Sequence, residues 1–236
     1  MNIKNNFFAT GIGSLSYLDK AEAVDFIIEN FSRHIPFWPQ LPKISFLESM
    51  HMQFSEGFPG RVVDWDKKNI YIDTLKQSFI EEFEACYNAI GSSQWDYFAM
   101  SPDYAAGFYE FIKKIKNKKF RFIKGQITGP ISFGLTLLDN HKKPLMFNKE
   151  ISEIIPLFLG FKAKWQIRKL KKVTQDKIII FIDEPYLVAV GTNQFASLDK
   201  ELIIYKINTI VKAIHEEGAF AGMHSCGYTD WTICFE

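Results

Sequence analysis

The sequence predicts an α/β protein, and three observations carry that reading. Short apolar runs alternate with amphipathic helical stretches from Phe7 onward, the pattern of a parallel sheet with helical crossovers. The run Ile178-Ile179-Ile180-Phe181-Ile182 is continuously apolar, as strands covered on both faces are. No linker or short-period repeat interrupts the succession, so residues 1–236 read as one domain.

The first unit is the run Phe7 to Gly13, followed by Asp19 and Glu22 in the spacing of a capping box. The helix they open places Val24, Ile27, Ile28 and Phe31 on one face. A proline-rich loop from Ile35 to Pro42 then leads to an expected second strand at Ile44 to Leu47. Its helix carries Ile72, Leu75, Phe79, Phe83, Cys86 and Ile90, which makes Cys86 a small buried hydrophobe. The third unit is Tyr97 to Met100 with a helix bearing Phe108, Phe111, Ile112 and Ile115. The lysine-rich stretch Lys113 to Lys119 reads as a solvated turn before the fourth strand, Phe120 to Ile127.

A long helix, about Ser152 to Val173, precedes the fifth strand at Ile178 to Ile182. Asp199 opens a helix bearing Leu202, Ile203, Ile207, Ile210, Val211 and Ile214; Gly218 suits its C-terminal cap, and Ala219 to Met223 is the sixth strand. About six β-α units are therefore expected, where a closed barrel of this type has eight. Polar motifs at the strand ends favour an incomplete TIM-type barrel, with an open doubly wound sheet as the rival, and the last segment reads as a helix that stops after about one turn.

Composition narrows the function. Of 236 residues, 47% are hydrophobic and 23% charged, as in a globular protein with a sizeable core, and 28 Lys plus Arg nearly cancel 27 Asp plus Glu. No global field favours nucleic acid or an anionic membrane, so the expected partner is a small molecule. Three cysteines without framework spacing, no signal peptide and no membrane-length apolar run lead to the expectation of a cytoplasmic protein.

Chemistry-bearing residues cluster after the strands. His224 and Cys226 in Met223-His224-Ser225-Cys226-Gly227 offer an imidazole and a thiolate, a pair suited to zinc, although catalytic zinc usually takes three protein ligands. Cys234 is a poorer candidate. Asp183-Glu184-Pro185 closes the fifth strand, and carboxylates after five apolar residues need a cation, a metal or good donors. Gly125 to Pro130 places a turn and a hydroxyl near a helix start, which suits an anionic group or plain turn geometry. Gly11-Ile12-Gly13-Ser14 imitates a dinucleotide fingerprint but lacks its third glycine and the following acidic strand end.

Taken in order, Thr10 to Leu15, Gly125 to Pro130, Ile182 to Pro185 and His224 to Gly227 resemble the superfamily of cobalamin-independent methionine synthase, corrinoid-dependent thiol methyltransferases and uroporphyrinogen decarboxylase. The resemblance spans nearly the whole chain and implies a barrel in which zinc on His224 and Cys226 holds a substrate thiol. The further zinc ligands would then lie past Glu236. It implies Gly13 and Ser14 at an amino-acid substrate, Asp183 at its amino group and Glu48 on strand two, with Asp183 and Glu184 as the catalytic carboxylates. The reaction implied moves a methyl group from a folate or methyl-corrinoid donor, the latter on a corrinoid protein, to a thiol such as homocysteine. Zinc would serve by keeping that thiol deprotonated. A decarboxylase-like lyase and an inactive truncated fragment are the alternatives. The segment Pro36 to Gln40 is similar to the decarboxylase N-terminal loop, yet no arginine occurs between Arg33 and Arg61 to grip porphyrin carboxylates.

Overall fold

Two long apolar helices and three apolar strands organise the molecule, and the sequence dictates both. Asn148 caps helix α6 (Lys149–Lys171) by accepting from the Ile151 amide, and Asp199 caps α7 (Lys200–Glu216) through the Leu202 amide. Strands β3 (Phe122–Thr128), β4 (Lys177–Asp183) and β5 (Phe220–His224) form a parallel sheet in the order β3-β4-β5. The computed structural model describes residues 7–190, 198–227 and 229–234, with the side chain of Cys234 outside that set.

Period-two alternation sorts the strand residues between two faces. Ile123, Ile127, Ile178, Ile180 and Ile182 are buried on the face packed by α6 and α7. Each such side chain stabilises the fold by roughly 1.5–3 kcal/mol. The opposite face carries Lys124, Gln126 and Thr128 on β3, Phe181 and Asp183 on β4, and His224 on β5.

The sheet continues beyond β3 without regular strands. The Lys124 amide donates to Pro36 O at 2.8 Å, and the segment 35–40 in turn lies beside residues 9–15, with Ile35 N donating to Ala9 O and Gln40 N to Gly13 O. Parallel bridges Phe37–Lys124 and Ser14–Gln40 fix that order. Five successive chain segments thus lie side by side, but among the described residues they close no barrel.

The three C-terminal strands stand where the sequence places them. Three earlier expectations are corrected. Residues 44–47 do not form the second strand: Phe46–Glu48 is a 3-10 turn opened by Ser45, whose Oγ accepts from the Leu47 amide. The inner position belongs to the proline-broken segment 36–40, because its bonds use the Pro36 carbonyl towards β3 and the Ile35 and Gln40 amides towards residues 9–15, and none needs an N–H from Pro36 or Pro39. Trp95–Phe98 is likewise a 3-10 turn rather than a third strand. The helix expected from Ile72 starts at Phe79, α3 (Phe79–Gly91), since Ile72 belongs to an antiparallel hairpin, β1 (Arg61–Asp64) and β2 (Asn69–Ile72).

Helices α1 (Lys20–Phe31) and α4 (Ala106–Ile115) match their expected apolar faces, and Asp19 accepts from the Ala21 and Glu22 amides as α1's cap. Cys86 is fully buried, as expected. Two short helices, α2 (Met50–Gln53) and α5 (Pro130–Thr136), complete the elements that frame the sheet's carboxyl end. No described helix is long and apolar enough to cross a membrane.

Lys162 is an anomaly within the core. It is wholly buried on α6, and among the described residues its ammonium reaches the carbonyls of Phe98 and Ala99, at 3.5 and 3.4 Å, and the Phe158 ring. Burial pushes its pKa down to about 7. A folded-state pKa below the unfolded value means that stability rises as pH climbs from about 7 towards 10.5, by at most about 1.4 kcal/mol per unit. Lys162→Met is therefore expected to be more stable than the parent at pH 7 and to lose most of that advantage by pH 10, as measured by urea unfolding at both values.

Candidate functional site

The carboxyl ends of β3, β4 and β5 meet at Glu184, whose side chain reaches the turn after β3 and whose amide reaches the end of β5. It is fully buried, and its Oε1 accepts from the Ile131 amide while Oε2 accepts from the Ser132 amide, each at 2.8 Å. Ser132 Oγ adds a third bond at 2.6 Å and itself accepts from the Tyr186 amide. The Glu184 amide donates to His224 O and the Gly129 amide to Asp183 O, so the turn after β3, the end of β4 and the end of β5 form one bonded unit. Burial raises the Glu184 pKa to about 7 against the lowering effect of these donors.

This arrangement explains the Gly125-to-Pro130 motif. Pro130 occupies the first turn of α5, where its missing N–H costs nothing. A side chain at Gly129 would bring a Cβ within 2.1 Å of Glu184 Cδ, so only glycine leaves room for the carboxylate. The anion at this helix start is the protein's own Glu184 carboxylate, where the sequence left an anionic substrate group or plain turn geometry open.

Asp183 differs sharply from its neighbour. It is 1% exposed, and neither carboxylate oxygen has a hydrogen-bond partner among the described residues. Opposite it in register, Thr128 Oγ1 is also buried and unpartnered, and Ser225 Oγ beyond β5 is a third such atom. Burial raises the Asp183 pKa, partly offset by the positive field of Lys124. Lys124 Nζ donates to Ile12 O at 2.6 Å and lies near the Phe37 and Phe181 rings, and burial lowers its pKa.

Asp183 and Lys124 face a cleft of about 150 Å³ lined also by Thr10, Gly11, Ile12, Phe181 and His224. Larger clefts exist elsewhere, but they hold none of the unpartnered buried carboxylates, and chemistry rather than volume selects this one. His224 pairs in register with Asp183, and burial, then Lys124, lowers its pKa and favours the neutral imidazole.

The residues singled out in the sequence are only partly gathered here. Asp183 and His224 share the cleft. Cys226 is a free, exposed thiol in the bend after β5, which ends at His224, so strand alternation does not set its direction. Gly13 is buried and Ser14 exposed, on the segment beside 35–40, with Ser14 Oγ donating to Gln40 Oε1 at 3.3 Å. Glu48 is not on a strand. It is buried in the 3-10 turn, accepts from the Leu41 and Ala106 amides at 2.9 and 3.0 Å, and lines a separate cleft with Trp65 and Asp103. Burial raises its pKa to about 7. The Cys234 side chain lies outside the described residues.

Among the described residues, no group of three or more His, Cys, Asp or Glu is placed to hold a metal ion. His224 and Cys226 alone fall short of the three-ligand set that catalytic zinc takes. Lys124 was missed in the sequence. A lysine inside the otherwise apolar strand Phe122-Ile123-Lys124 was the available clue, since a buried cation needs a function or a counter-charge.

What fold and site define is an α/β protein with a polar, partly unsatisfied cleft at the carboxyl end of a parallel sheet, where such folds place their ligands. Compared with models of protein families, with curated proteins and with solved structures, the chain matches none.

Proposed function

We propose that the chain is a TIM-barrel-type unit of the methionine-synthase and uroporphyrinogen-decarboxylase kind, acting on a small amino-acid thiol such as homocysteine as a methyl acceptor. The observation that carries this reading is Asp183: a buried carboxylate with two free oxygens, beside Thr128 and His224, is an acceptor built for an ammonium group. The parallel order of segments 9–15, 35–40, β3, β4 and β5 supports the barrel part of the reading.

In this proposal Asp183 takes the substrate ammonium, Thr128 adds a hydroxyl beside it, and Gly13 and Ser14 border the amino-acid site. Glu184 acts as a positioning residue, because its oxygens are already engaged by Ile131 and Ser132. His224 and Cys226 supply two zinc donors, and zinc bound at full strength needs a further donor from outside the described residues. The methyl donor would be a folate or a methyl-corrinoid protein.

Homocysteine is expected to raise the melting temperature of the chain, by an amount that grows with the logarithm of its concentration above Kd. The same thiol lacking its amino group should do so at least tenfold less effectively, and Asp183→Asn should remove that discrimination. Equal stabilisation by both thiols, or no effect of Asp183→Asn, would refute the assignment of Asp183. Zinc titrated against a chromophoric chelator is expected to bind weakly, and tight one-to-one binding would show that the ligand set is complete within the chain.

A further inference from the structure

We propose that the opposite end of the sheet, where the strands begin, binds single-stranded nucleic acid. The chain as a whole is nearly neutral, with 28 basic and 27 acidic residues, but the fold segregates them. The loop entering β3 contributes Lys116, Lys118, Lys119 and Arg121, all exposed. The end of α6 and the loop entering β4 contribute Arg168, Lys169, Lys171, Lys172 and Lys177.

Tertiary contacts make one surface of these two runs, which lie some fifty residues apart in sequence. Phe120 N donates to Asp176 Oδ2 at 2.9 Å, tying the two loops together, and Lys171 borders both of two clefts of about 450 and 470 Å³. The acids nearby offset little. Asp176 accepts from Phe120 N and Thr174 Oγ1, Glu217 is bonded to Arg168 at 2.8 Å, and Asp96 is the other acid at these rims.

Aromatic rings cross this end in a row. Phe8 and Phe122 have centroids 6.2 Å apart, and Phe122 and Phe220 are 6.4 Å apart. Arg121 lies over Phe8 and Phe122, while Lys177 lies over Phe122 and Phe220. Phe220 is 50% exposed at the start of β5. Rings alternating with cations beside a basic groove provide both interactions a single strand needs: stacking for its bases and charge for its phosphates. A small inorganic anion would use the cations and leave the rings idle. A bilayer is flat and would not fill the two clefts, although Phe7, 87% exposed next to Phe8, makes it the competing occupant.

The test measures fluorescence anisotropy of a labelled twelve-nucleotide oligouridylate with the full chain, over a series of salt concentrations. The expected log–log salt slope is about −2 to −3, corresponding to three or four phosphate contacts. Lys172→Glu with Lys177→Glu should weaken binding at least tenfold, and Phe220→Leu, which keeps an apolar side chain but removes the stacking face, about fivefold or more. Lys118→Glu with Lys119→Glu, in the exposed loop, provides a second charge test should the first pair melt early, and Lys43→Glu serves as a control expected to bind as the parent does. Absence of binding at 50 mM salt, or affinity unmoved by both charge-reversal pairs, overturns the proposal. So does Phe220→Leu binding as tightly as the parent while inorganic polyphosphate competes charge for charge, which would leave a generic anion surface. Tighter binding to phosphatidylserine vesicles than to the oligonucleotide also overturns it, in favour of a membrane surface. None of these outcomes depends on the thiol site, so the two readings fail separately.

Discussion

Glu184→Ala is expected to destabilise the protein by at least about 3 kcal/mol, because it takes the acceptor from three buried donors, the Ile131 and Ser132 amides and Ser132 Oγ. Glu184→Gln should recover only part of this, since one of its two terminal atoms is a donor facing another donor. The companion substitution is Gly129→Ala. Gly129 has φ −75° and ψ 158°, an ordinary extended conformation that alanine adopts freely, so its cost comes solely from the Cβ that would stand 2.1 Å from Glu184 Cδ. That cost should be about 1–3 kcal/mol in the parent and small once Glu184 is alanine. Urea unfolding of the four proteins in this cycle decides it, and additive losses would show that Glu184 does not hold the turn.

The second large effect concerns Lys124 and Asp183. Lys124→Met removes the cation whose field offsets burial of the Asp183 carboxylate and also the bond to Ile12 O, and should cost about 2–4 kcal/mol at pH 8. The sign of the pH dependence follows from the directions of the shifts. Asp183 is raised above its unfolded value, so its stability contribution is complete at low pH and is lost as pH rises through the folded value; without Lys124 that loss steepens. Lys124 is lowered, so the parent gains stability at high pH as this lysine releases its proton more readily than in the unfolded chain. The first effect widens the gap between parent and Lys124→Met as pH goes from 5 to 8, and the second widens it further between about 8 and 10.5. Adding Asp183→Asn should flatten the profile and recover much of the loss, because asparagine has no charge to bury. A gap independent of pH would mean that Lys124 acts only by filling space.

The near-neutral composition hides a local segregation of charge that a chain average does not report. Lys113 to Lys119 reads as a solvated turn because the overall charge gives a phosphate-binding strip no support, and the contact of Phe120 with Asp176 brings its end beside the basic end of α6. The Gly125-to-Pro130 motif was legible as a place for an anion, and the fold fills it with Glu184. Asp183 was legible as a carboxylate that must meet a partner. That both its oxygens lack one among the described residues, whereas those of Glu184 lack none, depends on Asp183 ending β4 on the cleft face, on Glu184 lying just past the strand and on where α5 begins.

By itself the sequence determined the α/β class, strands β3, β4 and β5, the caps of α1 and α7, the burial of Cys86 and the position of Asp183 and His224 at strand ends. These follow from period-two and 3.6-residue patterns and from capping side chains, which act within a few residues. Tertiary structure alone decided that segment 36–40 and not 44–47 lies against β3, that Ile72 belongs to a hairpin, that Glu48 faces a different cleft and that Lys124 stands beside Asp183. Those outcomes rest on backbone bonds and Coulomb fields between residues remote in the chain, for which local pattern holds no information.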